Sequence, residues 1–284
     1  MNQIDPQLRI IGDDAPRIDA KAKTFGEATY TADITLPNML HAKLLRSNVG
    51  HARLVKINAD KARRAPGVRA VVIRDDLDQL ASPVYGYFIK DQPLVAMDKV
   101  RYEGDTLAAV AADTEAQAEA ACALIDFEFE RLPDVPDIET ALSATSAELF
   151  EDAPMGVVPK YGTGATGTLR PMRNSCYSFR YETGDEAAFE QCDHIFEDEF
   201  RFSRMHHLHL EPFVTVADAS NDRIQLWSSC QNPFALRKEL GRLFGLPENL
   251  INLNSPYVGG GFGAKNNAKM EPLAVLLPPA VASS

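Results

Sequence analysis

Near the end of the chain, the run Tyr257-Val258-Gly259-Gly260-Gly261-Phe262-Gly263-Ala264-Lys265 holds the residue types best suited to chemistry on an oxygen-rich ligand. Its glycines can take positive φ and let the backbone approach a bulky polar group without Cβ interference. Such a loop exposes peptide N–H donors to phosphate, pterin or oxo oxygens, and Phe262 could pack against a substrate or fix the loop. The competing reading is a tight strand-to-helix turn with no ligand. Two commoner glycine signatures are excluded. A Walker A loop ends in Gly-Lys-Ser/Thr, whereas this one ends in Ala264-Lys265-Asn266. A dinucleotide fingerprint needs glycine where Ala264 stands, and a βαβ unit with a ribose-binding acid after it.

Met205-His206-His207-Leu208-His209-Leu210-Glu211-Pro212 is the second unusual stretch. On a strand, His207, His209 and Glu211 would share one face and could be offered to zinc or iron. Alternate strand residues lie about 7 Å apart, so their convergence on one ion would be strained without a bulge. Hydrogen bonding by His207 and Glu211 in a buried polar network suits those types better, because a buried carboxylate needs donors. Glu271 could either bond back to the amides of the loop or cap a helix beginning at Pro272. Around Trp227 to Phe234 a strand meets a helix N-terminus, where Ser229 or Gln231 could face a ligand. Cys230 has no evident base beside it and reads as a bystander.

The elements that must hold these residues follow from periodicity. Strands are expected at 41–47, 53–58, 68–73, 107–111 and 126–130. Thr114 should cap a helix through Ile125, and a short helix over 60–65 should link the second and third strands in a βαβ step. The stretch 132–173 is rich in Pro, Gly, Ser and Thr and reads as an interdomain connector. Beyond it come a helix at 185–191, strands at 195–203, 208–216 and 224–229, and a helix opened by Asn232-Pro233 and closed at Gly245. A strand at 251–254 leads into the glycine loop.

Bulk properties narrow the function classes. With 284 residues and 45% hydrophobic content the chain can bury a sizeable core over two domains. Its net charge of −11 and pI near 5.1 argue against nucleic acid or an anionic membrane as partner. No apolar run is long enough to span a bilayer, and no secretory signal opens the chain. Cys122, Cys176, Cys192 and Cys230 fit neither a zinc site nor an iron–sulfur cluster on this chain, and reduced thiols in a cytoplasmic compartment are the default.

Taken in order, several motifs resemble the molybdopterin-binding large subunit of the xanthine dehydrogenase/aldehyde oxidase family. They are Gly26 to Ile34, Leu45-Arg46-Ser47, His51-Ala52-Arg53, Pro66-Gly67-Val68, Val100 to Asp105, His207 with Glu211-Pro212, Trp227 to Phe234 and Gly259 to Lys265. The resemblance runs from about Arg17 to Leu277. It implies an α+β protein with a leader at 1–23, an α/β-hammerhead domain at 24–135 and a connector at 136–173. The beginning of a mixed α/β molybdenum-cofactor domain follows at 174–284. It implies oxidative hydroxylation of an electron-poor carbon with water as oxygen source. Molybdenum-molybdopterin would be the cofactor, as the cytosine dinucleotide if the source is bacterial, with [2Fe-2S] and FAD on partner subunits.

Residue by residue, Gly260, Gly261, Phe262 and Gly263 match the loop whose amides approach the cofactor. His207, Glu211, Gln231 and Asn266 would form an active-site network, and no residue of this chain would ligate metal. Met205 stands where xanthine dehydrogenase-like members place a glutamine, and Asn266 where purine oxidisers place a substrate-contacting glutamate, so purine is not favoured. After Leu277 the chain runs Pro278 to Ser284, where the family continues to further cofactor contacts and the catalytic glutamate. The expectation is therefore a truncated chain inactive alone, or a subunit completed by a second chain. The alternatives are a non-catalytic binding or assembly module and a His-cluster metalloprotein.

Overall fold

The computed structural model describes residues 14–86, 89–151, 166–169, 174–175, 177–180, 183–220, 223–277 and 281–283. The first thirteen residues of the expected leader, most of the 152–173 stretch and Cys176 lie outside them.

In the first part of the chain, a short exposed helix α1 (Ala20–Thr24) precedes strands β1 (Leu40–Arg46) and β2 (Ala52–Asn58). A one-turn helix α2 (Asp60–Arg63) leads to β3 (Val68–Val72), and β4 (Val84–Tyr85) and β5 (Gln92–Pro93) form a small hairpin. β6 (Lys99–Val100), β7 (Thr106–Ala112), helix α3 (Glu115–Cys122) and β8 (Asp126–Arg131) complete this part. Thr114 caps α3 by accepting from the Gln117 amide at 3.3 Å, as its position before the apolar stripe requires.

Farther on stand α4 (Ile138–Leu142), an isolated hairpin of β9 (Thr166–Leu169) and β10 (Tyr177–Arg180), then β11 (Thr215–Asp218) and β12 (Ile224–Ser228). Helix α5 (Pro233–Phe244), β13 (Ile251–Asn254), helix α6 (Glu271–Leu276) and β14 (Val281–Ser283) follow. Asn232 caps α5 and Gly245 ends it at φ +65°, the left-handed conformation that glycine adopts without a Cβ penalty.

A seven-stranded sheet runs in the order β13-β12-β11-β14-β1-β7-β3, and a separate three-stranded sheet in the order β6-β2-β8. β7 is covered on both faces and accordingly reads as an apolar run of small residues after Thr106. Leu107 and Val110 pack with Leu54, Ile57, Val100 and Ala121 between the two sheets. Ala109 and Ala111 turn the other way, toward Leu77, Leu94, Val95, Leu273 and Leu277. A third core joins Leu226 of β12, Leu236 and Leu240 of α5, Ile251 and Ala274.

Four expectations change. The βαβ step does not form, because β2 and β3 lie in different sheets and their connection falls short of the roughly dozen residues a parallel crossover needs. Residues 195–203 form no strand and are exposed, and among the described residues their backbone pairs with no strand. The strand expected at 208–216 is reduced to its final residues in β11; Leu208 takes φ +48°, which an extended run cannot contain. The helix at 185–191 is a 3₁₀ turn over Glu186–Gln191, with Asp185 accepting from the Ala187 amide.

Candidate functional site

β13 delivers the chain to the glycine loop, and α6 begins just after it. Tyr257 forms a parallel bridge with Tyr30, and its amide donates to Thr29 O at 3.3 Å, tying the loop's entry to the start of the chain. Gly260 takes φ +95°, Phe262 φ +48° and Gly263 φ +91°, so the backbone twists as the glycine content implied. The loop is packed as well as twisted. A Cβ on Gly259 would lie 2.5 Å from Cβ of Glu211, and one on Gly261 would lie 2.5 Å from the Gln231 side chain.

Two side chains, Glu211 and Gln231, hold it. The carboxylate of Glu211 accepts from the Gly259 amide at 2.8 Å and from the Lys265 ammonium at 2.8 Å. Lys265 also donates to the Glu211 carbonyl at 3.0 Å, and its side chain is only 1% exposed. Gln231 Oε1 accepts from the amides of Gly263 at 3.1 Å and Lys265 at 3.2 Å. The lysine ammonium is thus consumed internally, and a buried ion pair fixes the loop to the 209–211 segment.

The structure brings together Gly260, Gly261, Phe262, Gly263, Glu211 and Gln231, and does not bring in His207, which is exposed on the coil where a strand was expected. His209 takes the inner position instead, donating from Nδ1 to the Glu211 carbonyl at 2.6 Å. Asn266 stands at the loop's exit, exposed, its amide donating to Gly263 O at 3.4 Å. Sequence reasoning missed His209 and Lys265 as loop-holding residues. The only available signal for Lys265 was a lysine placed directly after a glycine run, which also reads as a solvated residue.

Glu271 accepts from the Lys269 amide at 2.7 Å and from Ser228 Oγ at 2.7 Å, so it bonds to the segment before its helix. Ser229 is buried, and Gln231 is the side chain that reaches the loop. Burial pushes the Cys230 thiol up to about 11, which leaves it protonated at neutral pH. Among the described residues no three His, Cys, Asp or Glu side chains are placed to hold a metal ion, so the His-cluster reading finds no support there.

What the arrangement leaves open is informative. The amides of Gly260, Gly261 and Phe262 have no hydrogen-bond partner among the described residues, although Gly261 is buried. His209 Nε2 and Glu211 Oε1 are likewise buried without a partner. Of the three only Gly261 is buried, Phe262 being 72% exposed, and a buried amide is seldom left unpaired in a folded protein. Three successive N–H groups beside two unpaired polar atoms suit a ligand rich in oxygen and nitrogen, as a pterin is.

Comparison with known proteins gives this site its setting. The family description "Aldehyde oxidase and xanthine dehydrogenase, a/b hammerhead domain" matches residues 25–133, and "Molybdopterin cofactor-binding domain" matches residues 170–281. A probable xanthine dehydrogenase chain of Bacillus subtilis is 34% identical, over 92% of this chain and 32% of its own length. The nicotinate dehydrogenase large molybdopterin subunit of Eubacterium barkeri is 32% identical, over 95% of this chain and 59% of its own length. Among solved structures, the Cu,Mo-CO dehydrogenase superposes with a TM-score of 0.81 at 28% identity, over 96% of this chain and 35% of that one. Quinoline 2-oxidoreductase from Pseudomonas putida 86 does so with a TM-score of 0.76 at 29% identity, over 95% of this chain and 34% of that one. This chain therefore spans about a third of the length of most of these relatives. Two adjoining family domains in the expected order, on a fold shared with solved members, place the chain in the xanthine dehydrogenase/aldehyde oxidase family, with the hammerhead and molybdopterin-binding domains of its large subunit.

Proposed function

We propose that this chain forms part of a molybdenum hydroxylase that adds a water-derived oxygen to an electron-poor carbon. Its own contribution is the glycine loop and the first contacts to the cofactor. The single observation that supports this most is the row of unpaired amides at Gly260, Gly261 and Phe262, held in place by Glu211, Lys265 and Gln231. When bound, molybdenum-molybdopterin would supply the redox chemistry. Around it, the loop amides would donate to cofactor oxygens, and Gln231 and Glu211 would keep those amides aligned. The cytosine dinucleotide form, [2Fe-2S] and FAD on companion subunits, a second chain carrying the rest of the molybdenum domain and a cytoplasmic setting belong to the same reading.

The test is molybdenum and pterin content per chain, on protein purified together with the products of its neighbouring genes. Near-stoichiometric cofactor that falls sharply in Gly261→Ala is the expected result. Protein that keeps its partners and carries neither molybdenum nor pterin would overturn the reading. A non-catalytic assembly role predicts that second result.

A further inference from the structure

Beside the glycine loop lies a cavity of about 390 Å³, between the β4–β5 hairpin, helix α5 and the residues that follow Lys265. Its volume is in the range that holds a small organic molecule. Tyr85 and Leu236 supply apolar wall, and Asn266 forms its margin on the side of the loop. The polar wall is built by Lys90, Lys238, Glu239 and Arg242.

These charges do not balance. Glu239 accepts from Lys90 at 2.7 Å and from Arg242 at 2.8 Å, so a single carboxylate is shared by two cations. Lys90 also donates to the Gly86 carbonyl and Arg242 to the Val84 carbonyl, which fixes both heads on the hairpin. Burial raises the Glu239 pKa, but the bonds from Arg242 and Lys90 outweigh it and hold the carboxyl below the ordinary glutamate value, so it is ionised at neutral pH. Lys238 lines the same cavity without an ion pair among the described residues. Three cations against one anion give a local excess of positive charge on a chain whose net charge is −11. A concave site with such an excess concentrates anions against the field of the whole molecule.

Resting on the hydroxylase reading above, we propose that this cavity selects an anionic substrate. That substrate is a small carboxylate with an apolar, ring-sized body. Its carboxylate faces Lys238 and the Lys90–Glu239–Arg242 group, and its body lies toward Asn266 and the glycine loop. Lys238 supplies the uncompensated charge, and Glu239 sets how much of the positive charge on Lys90 and Arg242 remains available.

The test is calorimetric binding of benzoate and of its neutral counterpart benzamide to the full chain, at low and at raised ionic strength. Benzoate should bind more tightly, with a preference that shrinks as salt is added. Lys238→Gln, at an exposed position, should weaken benzoate about tenfold and leave benzamide unchanged, whereas Glu239→Gln should strengthen benzoate. Circular dichroism establishes that each variant is folded. Equal binding of the two probes, no binding of benzoate, or variants that leave the preference intact would overturn the inference. Pterin content, measured separately, keeps the two readings apart. Pterin-loaded protein without a carboxylate preference removes this inference alone, and carboxylate-selective protein that never acquires pterin removes the hydroxylase reading alone.

Discussion

At the scale of single residues, Lys265 and Glu211 dominate. Each is largely out of water, and breaking a buried pair leaves one charge without compensation. Lys265→Met should therefore lower stability by about 3–5 kcal/mol, read as the shift in urea midpoint, and adding Glu211→Gln should return part of that loss. An unchanged midpoint in the single variant would show that the pair does not hold the loop. Asp105 is a second informative carboxyl. Burial raises its pKa, against hydrogen bonds from the Arg101 and Thr106 amides that lower it. Its folded state thus holds the proton more tightly than the unfolded chain. The resulting stability is fully present below the ordinary aspartate value of 3.8 and is lost as pH rises through the raised pKa. Asp105→Asn should flatten the stability profile across that window, which acid-range denaturation would detect. Thiol chemistry at this scale is selective too. Burial pushes Cys122 up to about 11, like Cys230, while Cys192 is exposed. Iodoacetamide at mildly alkaline pH should alkylate Cys192 and spare Cys122 and Cys230 in the folded protein, as peptide mass spectrometry would record.

At the scale of elements, α5 shows what a sequence can specify locally. Asn232 accepts from the Ala235 amide at 3.3 Å, Pro233 opens the first turn, and Leu236, Leu240 and Leu243 bury one face. Asn232→Ala should cost about 1 kcal/mol, measurable as a lowered urea midpoint. All of those signals lie within the helix and its two caps, which is why its ends were readable from the residues alone. The stretch 195–203 had an equally good strand pattern, with Phe196, Phe200 and Phe202 at even spacing, yet it stays unpaired and exposed. Alternation states that a segment would suit a sheet; it does not supply the neighbouring backbone that makes one. The same limit affected the site. The glycine loop was legible from Gly259 to Gly263, because conformational freedom is a property of the residues themselves. The pairing of Lys265 with Glu211, far apart in sequence, was not, and the strand assumed for His207 hid the inward turn of His209.

At the scale of the molecule, the seven-stranded sheet continues across the boundary between the two family matches. β14 lies parallel to β1, pairing Leu40 with Val281, and antiparallel to β11, pairing Thr215 with Ser283. From below, Leu273 and Leu277, at α6 and its end, pack into the core beneath β7. The lone tryptophan, Trp227, sits in β12 on the far side of that junction. Urea unfolding followed by Trp227 fluorescence and by far-ultraviolet circular dichroism should give coincident single transitions. Two separated transitions would mean that the sheet does not couple its halves.

For anyone recombining relatives of this protein, the position of β14 sets a rule of inheritance. The hammerhead region cannot be exchanged as a cassette cut at its own ends, because the backbone edge it offers through β1 is matched by three residues far downstream. A chimera that imports residues 25–133 should import residues 281–283 with them, or it will carry a strand register chosen by one parent and a partner strand chosen by the other.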